Sequence, residues 1–125
     1  MIYLASPYSH PNSIIREIRF HDACLATAQL LRTGHSVFSP IVHGHPLVAT
    51  GLPTDWSYWE PFDRDHIERC DEVIVLTLDG WKTSIGVTAE IGIARELGKP
   101  VRYLAPDAAV SPTSRRRWDR DQTPK

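Results

Sequence analysis

Four segments of the chain carry the pattern of strands: Met1 to Ala5, His35 to Ser39, Asp71 to Leu78 and Lys99 to Leu104. The third is a near-continuous apolar run, the pattern of a strand covered on both faces. Between them the spacing turns helical. From Asn12 to about Thr33, Ile14, Ile18, Leu25 and Ala28 fall on one side of a helix with Phe20, Cys24 and Leu31 adjoining, and Gly34 ends it. Tyr58 to Cys70 and Ser84 to Leu97 read as two more helices. Pro7 and Pro11 make Ser6 to Pro11 a loop at the end of the first strand. Pro40 to Trp56, with His43-Gly44-His45-Pro46 and Gly51-Leu52-Pro53, reads as a long irregular stretch, and a loop of that length in a compact domain is usually functional.

The order β-α-β-α-β-α-β predicts an α/β fold: a three-layer α/β/α sandwich on a parallel sheet, Rossmann-like or flavodoxin-like. Ligands of such sheets bind beyond the carboxyl ends of the strands, so the site should be built from the loops after residues 5, 39 and 78. With 125 residues, 42% of them apolar, there is enough chain for one core and too little for two. The domain is placed at residues 1–105. Residues 106–125, rich in Ser, Pro, Asp and Arg and including Arg115-Arg116-Arg117, read as a flexible tail.

Charge narrows the partners. Fourteen basic against fifteen acidic side chains give a net charge of −1, without the positive field that recruits a nucleic-acid backbone. A small molecule fits better. Cys24 and Cys70 stand far apart without metal-ligand spacing, and the opening residues lack a basic segment followed by a long apolar one, so the expected compartment is the cytoplasm. No apolar run reaches the roughly 18 to 20 residues that span a bilayer, and no membrane partner is expected.

Glu90 is the most informative residue. Its helical neighbours are Gly86, Val87, Ile93, Ala94 and Leu97, which puts a carboxylate inside a buried stripe, while Arg95 and Glu96 fall on the other side. A buried carboxylate is costly without a partner or a task. Ser84 and Gly86 lie where the preceding strand gives way to this helix, which offers a hydroxyl and free N–H groups nearby. Ser6 and Ser9 occupy the loop after the first strand. His43 and His45 read either as a pocket wall or as solvated loop residues, with no third ligand for a metal. Trp81 leaves the third strand where a ligand should lie and reads as a stacking residue or an oligomer contact. Trp56, Tyr58, Trp59 and Phe62 divide between base stacking and packing. Arg16 and Arg19 are either anion contacts or helix-surface charges.

The pattern Ser84-x-Gly86-x-x-x-Glu90-x-x-x-Ala94-x-x-x-Gly98-Lys99-Pro100 resembles the nucleoside 2-deoxyribosyltransferase family and its nucleotide N-glycosidase branch. Ile2-Tyr3-Leu4-Ala5-Ser6 is similar to that family's first strand, and Asp63-x-x-x-Ile67-x-x-x-Asp71 to its acid segment, so the resemblance spans residues 2 to 104. Within it, the chain is similar to a phage and bacterial subgroup of unknown function. The resemblance implies that Glu90 attacks the anomeric carbon, that Tyr3 orients Glu90, that Asp63 exchanges a proton with the leaving base, and that Ser84 contacts the 5′ substituent. Asp65 is the competing proton donor. The nucleotide branch clamps phosphate with a Gly/Arg-rich loop, where this chain has Pro7-Tyr8-Ser9-His10-Pro11.

The function expected is therefore cleavage or transfer of the N-glycosidic bond of a (deoxy)nucleoside 5′-monophosphate or nucleoside, with no cofactor and no metal. Serine at position 84, rather than the nucleoside branch's aspartate, favours the monophosphate. The family's habit of completing its sites across subunits implies a homo-oligomer. The competing expectation is a nucleotide-binding sensor that uses Glu90 only to hold a ribose hydroxyl.

Overall fold

The computed structural model describes residues 1–106; the expected tail falls outside them apart from Pro106. Its elements run β1 (Ile2–Ala5), α1 (Ser13–Arg32), β2 (Val37–Phe38), α2 (Pro40–Val48), α3 (Trp56–Arg69), β3 (Glu72–Leu76), a short 3₁₀ turn (Trp81–Thr83), α4 (Ile85–Glu96) and β4 (Val101–Leu104). The strands form one all-parallel sheet in the order β2-β1-β3-β4. β1 and β3 lie in the centre, which is why both are buried along almost their whole length.

Side chains of a strand alternate between its faces, and this parity divides the core in two. Ile2 and Leu4 of β1 join Ile74, Leu76 and Leu104 under Ala26 and Leu30 of α1. Tyr3 and Ala5 turn to the other face with Val73 and Val75, against Ile67 of α3 and Val87, Ile93 and Ala94 of α4. The three-layer α/β/α reading of the sequence holds.

Two expectations fail on the first face. The stripe expected to bury α1 faces outward: Ile14 is 66% and Ile18 52% exposed, Leu25 and Leu31 are also exposed, and Phe20, Cys24 and Ala28 are half-buried. α1 buries Ala23, Ala26, Gln29 and Leu30 instead, a row whose two alanines let the helix lie close to the sheet. The stretch from Pro40 to Trp56 is not irregular throughout, since α2 occupies its first half. Ser39 caps α2, its hydroxyl accepting from Val42 N at 3.1 Å, and Pro40 stands in the first turn, where its missing N–H costs nothing.

Arg19 of α1 holds the loop after β1 to the loop after β3. Its guanidinium donates to the carbonyls of Ser9 at 3.0 Å, Tyr8 at 3.4 Å and Asp79 at 3.1 Å. The next residue, Gly80, has φ of 91°, and a Cβ there would stand 2.6 Å from Arg19 Nη2. Only glycine satisfies both the backbone angle and the cation. Gly80→Ala is therefore expected to lower stability by about 1 to 3 kcal/mol, read as a lower urea midpoint at unchanged slope. An unchanged midpoint would show that this clasp is dispensable.

Candidate functional site

The site grows out of strand parity. Because Tyr3 faces the α3/α4 layer, its phenol enters the space where α3 presents Asp63 and α4 presents Glu90. Asp63 and Ile67 are the buried residues of α3, one turn apart, and Glu90 lies with Val87, Ile93 and Ala94 on the buried side of α4. Tyr3 is fully buried, Glu90 is 4% exposed and Asp63 5%. The Tyr3 hydroxyl donates a short hydrogen bond to Glu90 Oε2. Asp63 Oδ1 and the Ser6 hydroxyl are buried with no hydrogen-bond partner among the described residues. Such groups are rare in folded proteins, and each calls for an explanation.

Electrostatics follow from this burial. Burial first, then the facing Asp63 carboxyl, raise Glu90 well above the usual carboxylate range, and the Tyr3 hydrogen bond opposes them. Burial pushes Asp63 up to about 7, again against Tyr3. Tyr3 itself is raised by burial and by both acids, so it remains a neutral O–H donor. Two acids and a phenol thus share a buried volume that tolerates little negative charge.

A cavity of about 610 Å³ opens above this cluster, within the range of small-molecule sites. Its floor includes Glu90, Asp63 and Ser6. One wall is the start of α4, with Ser84, Ile85 and Gly86; Ser84 caps the helix, its oxygen accepting from Val87 N at 3.1 Å. Another wall carries Trp56 and Trp59, and Trp56 lies against Gly86, where a Cβ would meet the indole at 3.6 Å. Tyr8, Ser9, His10 and Arg16 form the rim after β1, and Gly44 and His45 come from α2.

The sequence candidates are thereby sorted. Glu90, Asp63, Ser84, Gly86, Ser6, Ser9 and His45 border the cavity, and Tyr3 touches it through Glu90. His43 does not border it, being stacked on Phe62 at 5.3 Å and 14°. Trp81 is also elsewhere, packed on Tyr103 at 5.4 Å, because the 3₁₀ turn directs it back onto the sheet. Asp65 is exposed and pairs with Arg69 at 3.3 Å, which leaves Asp63 as the acid inside. Arg16 joins the rim, where it donates to the His10 carbonyl, and Arg19 is spent on the carbonyls of Tyr8, Ser9 and Asp79. Tyr8 had no assigned part in the sequence reading, since nothing in a proline-flanked loop indicates which side chain will meet a helix distant in sequence.

Among the described residues no three His, Cys, Asp or Glu side chains gather as metal ligands, and no helix is long and apolar enough to cross a membrane. A family model described as a domain of unknown function (DUF1937) matches residues 1–105. The chain belongs to the DUF1937 family. No curated protein matches it. The match covers β1 through β4, so the DUF1937 unit includes every residue of the acid cluster and of the cavity.

The raised acids make a stability prediction for this DUF1937 domain. A carboxyl held above its unfolded value favours the fold in its protonated form, so that contribution is complete in acid and is lost as pH rises through about 7. Asp63→Asn removes the charge that must otherwise be buried. The variant should match the native protein near pH 4 and exceed it above pH 8 by up to roughly 4 kcal/mol. Parallel denaturation curves at every pH would refute the buried acid.

Proposed function

We propose that this DUF1937 domain breaks or transfers the N-glycosidic bond of a nucleoside 5′-monophosphate or nucleoside, with Glu90 as nucleophile. The observation that carries the reading is the pairing of two differently treated carboxyls on one cavity floor. Glu90 accepts from a phenol, while Asp63 Oδ1 has no partner and its carboxyl is held near neutrality. Cleavage of a glycosidic bond needs one ionised and one protonated carboxyl. Burial opposes two charges on the pair, and in this reading the Tyr3 O–H, directed at Glu90, stabilises the one charge on Glu90 when the nucleophile forms.

In this scheme the Glu90 carboxylate forms a bond to C1′ as the C1′–N bond breaks, and Asp63 gives its proton to the departing base. Water or a second base then attacks C1′, returning a proton to Asp63 and releasing Glu90. Ser84 and the first N–H groups of α4 receive the 5′ group at the positive end of a helix, the basis for preferring a monophosphate. Trp56 and Trp59 supply flat apolar faces for the base. The site needs no cofactor in this scheme. The exposed Ile14, Ile18 and Leu25 of α1 favour a homo-oligomer.

The test is a panel of nucleosides and their monophosphates, with free base followed by chromatography. The native protein should release base from at least one monophosphate, faster than from the matching nucleoside. Glu90→Gln should lose turnover, and Asp63→Asn should lose on the order of 10²-fold, less for activated leaving groups. Binding of every compound without release of any base would instead favour the sensor.

A further inference from the structure

A second hydrogen-bonded cluster lies at the cavity rim, away from the two acids. His45 of α2 bridges two groups: its Nε2 meets Glu17 Oε2 of α1 at 2.5 Å, and its Nδ1 meets the Tyr8 hydroxyl at 2.7 Å. Phe20 of α1 stacks on the imidazole at 4.3 Å and 28°, fixing its plane. The Tyr8 and His45 rings meet edge-on at 5.5 Å, and both residues border the cavity beside Arg16.

The chemistry gives this chain a direction. A carboxylate only accepts, so Nε2 of His45 carries the hydrogen toward Glu17. In a neutral imidazole Nδ1 then accepts, the Tyr8 O–H is consumed in that bond, and the phenolic oxygen presents only lone pairs. When the imidazole takes a proton from solvent, Nδ1 becomes a donor to Tyr8, and the Tyr8 O–H is freed to donate elsewhere. Burial keeps Tyr8 a phenol, with the Arg16 guanidinium pulling the other way.

We propose that Glu17, His45 and Tyr8 form a proton-controlled anion selector, in which protonation of His45 turns Tyr8 from acceptor to donor and, with Arg16, opens the rim to a phosphoryl oxygen. Imidazole is the side chain that changes charge near neutrality, and the Glu17 carboxylate faces its Nε2. The groups facing this chain are Glu17, Arg16 and the Cys24 thiol of α1 and the Tyr8 phenol of the rim loop, with Arg19 donating to the Tyr8 carbonyl. His10 is exposed on the same rim, outside the hydrogen-bonded chain. The selector rests on the proposed nucleotide ligand only for the identity of its anion.

Sulfate tests it without turnover, because sulfate does not itself titrate in the range where imidazole does. Binding is followed by the fluorescence of Trp56 and Trp59. Affinity should rise about tenfold from pH 8 to about pH 5.5, a typical coupling between linked sites, and sulfate should raise the pH at which the His45 ring titrates by NMR. His10→Gln should keep this slope and His45→Gln should flatten it. Tyr8→Phe should bind weakly at every pH, and Glu17→Gln, which preserves a hydrogen bond to Nε2, should move the rise to lower pH. An unaltered slope in His45→Gln, or native affinity in Tyr8→Phe, overturns the selector. Failure of the nucleotide panel with the sulfate response intact overturns only the glycosidic reading.

Discussion

The Tyr3–Glu90 hydrogen bond joins the central strand to the helix that covers it, and the site is arranged around that bond. It requires that β1 turn Tyr3, not Ile2 or Leu4, toward the α3/α4 layer, so the register of the sheet and the position of the carboxyl are one constraint. A slip of β1 by one residue would exchange the faces, leaving Glu90 without a donor and placing a phenol under the alanines of α1. Burying a carboxyl beside a second one costs stability that apolar side chains would not. In the proposed function that cost is the source of reactivity, since burial favours the protonated form of Asp63 while the phenol stabilises charge on Glu90.

The cavity takes its shape from less regular parts of the chain. Ser84 and Gly86 begin α4, Trp56 and Trp59 begin α3, and Tyr8 to Pro11 follow β1, so its walls rise from the carboxyl end of the sheet, where parallel strands leave room for a ligand. The indoles of Trp59 and Trp56 lie against the backbones of Gly44 and Gly86, where an added Cβ would be in ordinary contact at 3.6 Å. Arg19 ties the loops after β1 and β3 together, so the rim is supported from beneath by a cation bound to carbonyls.

Much of this was legible in the sequence, for identifiable reasons. The central strands announce themselves through continuous apolar runs, and Glu90 through being the one carboxylate in an apolar stripe. Tyr3 and Asp63 enter only through the family resemblance, with Asp65 as the competing donor; it is the structure that turns Asp63 inward with Ile67 and leaves Asp65 exposed. The α1 stripe misled because Ile14, Ile18 and Leu25 have sound helical spacing on the outer face, while the inner face relies on Ala23 and Ala26, whose small side chains give little signal. α2 was hidden by its histidines, glycine and internal proline, although Ser39-Pro40 is a helix start that composition alone obscured. The Glu17–His45–Tyr8 relay could not be read at all, because it exists only once α2 is placed beside α1 and the loop after β1.

Mass spectrometry tests the central claim most directly. The native protein is quenched in acid shortly after mixing with a cleavable nucleoside monophosphate, and its intact mass and peptides are measured. The account predicts a glycosyl adduct on the peptide containing Glu90, absent in Glu90→Gln and depleted when an acceptor base is added. Release of base with no adduct at any time, or an adduct that persists in Glu90→Gln, would contradict it.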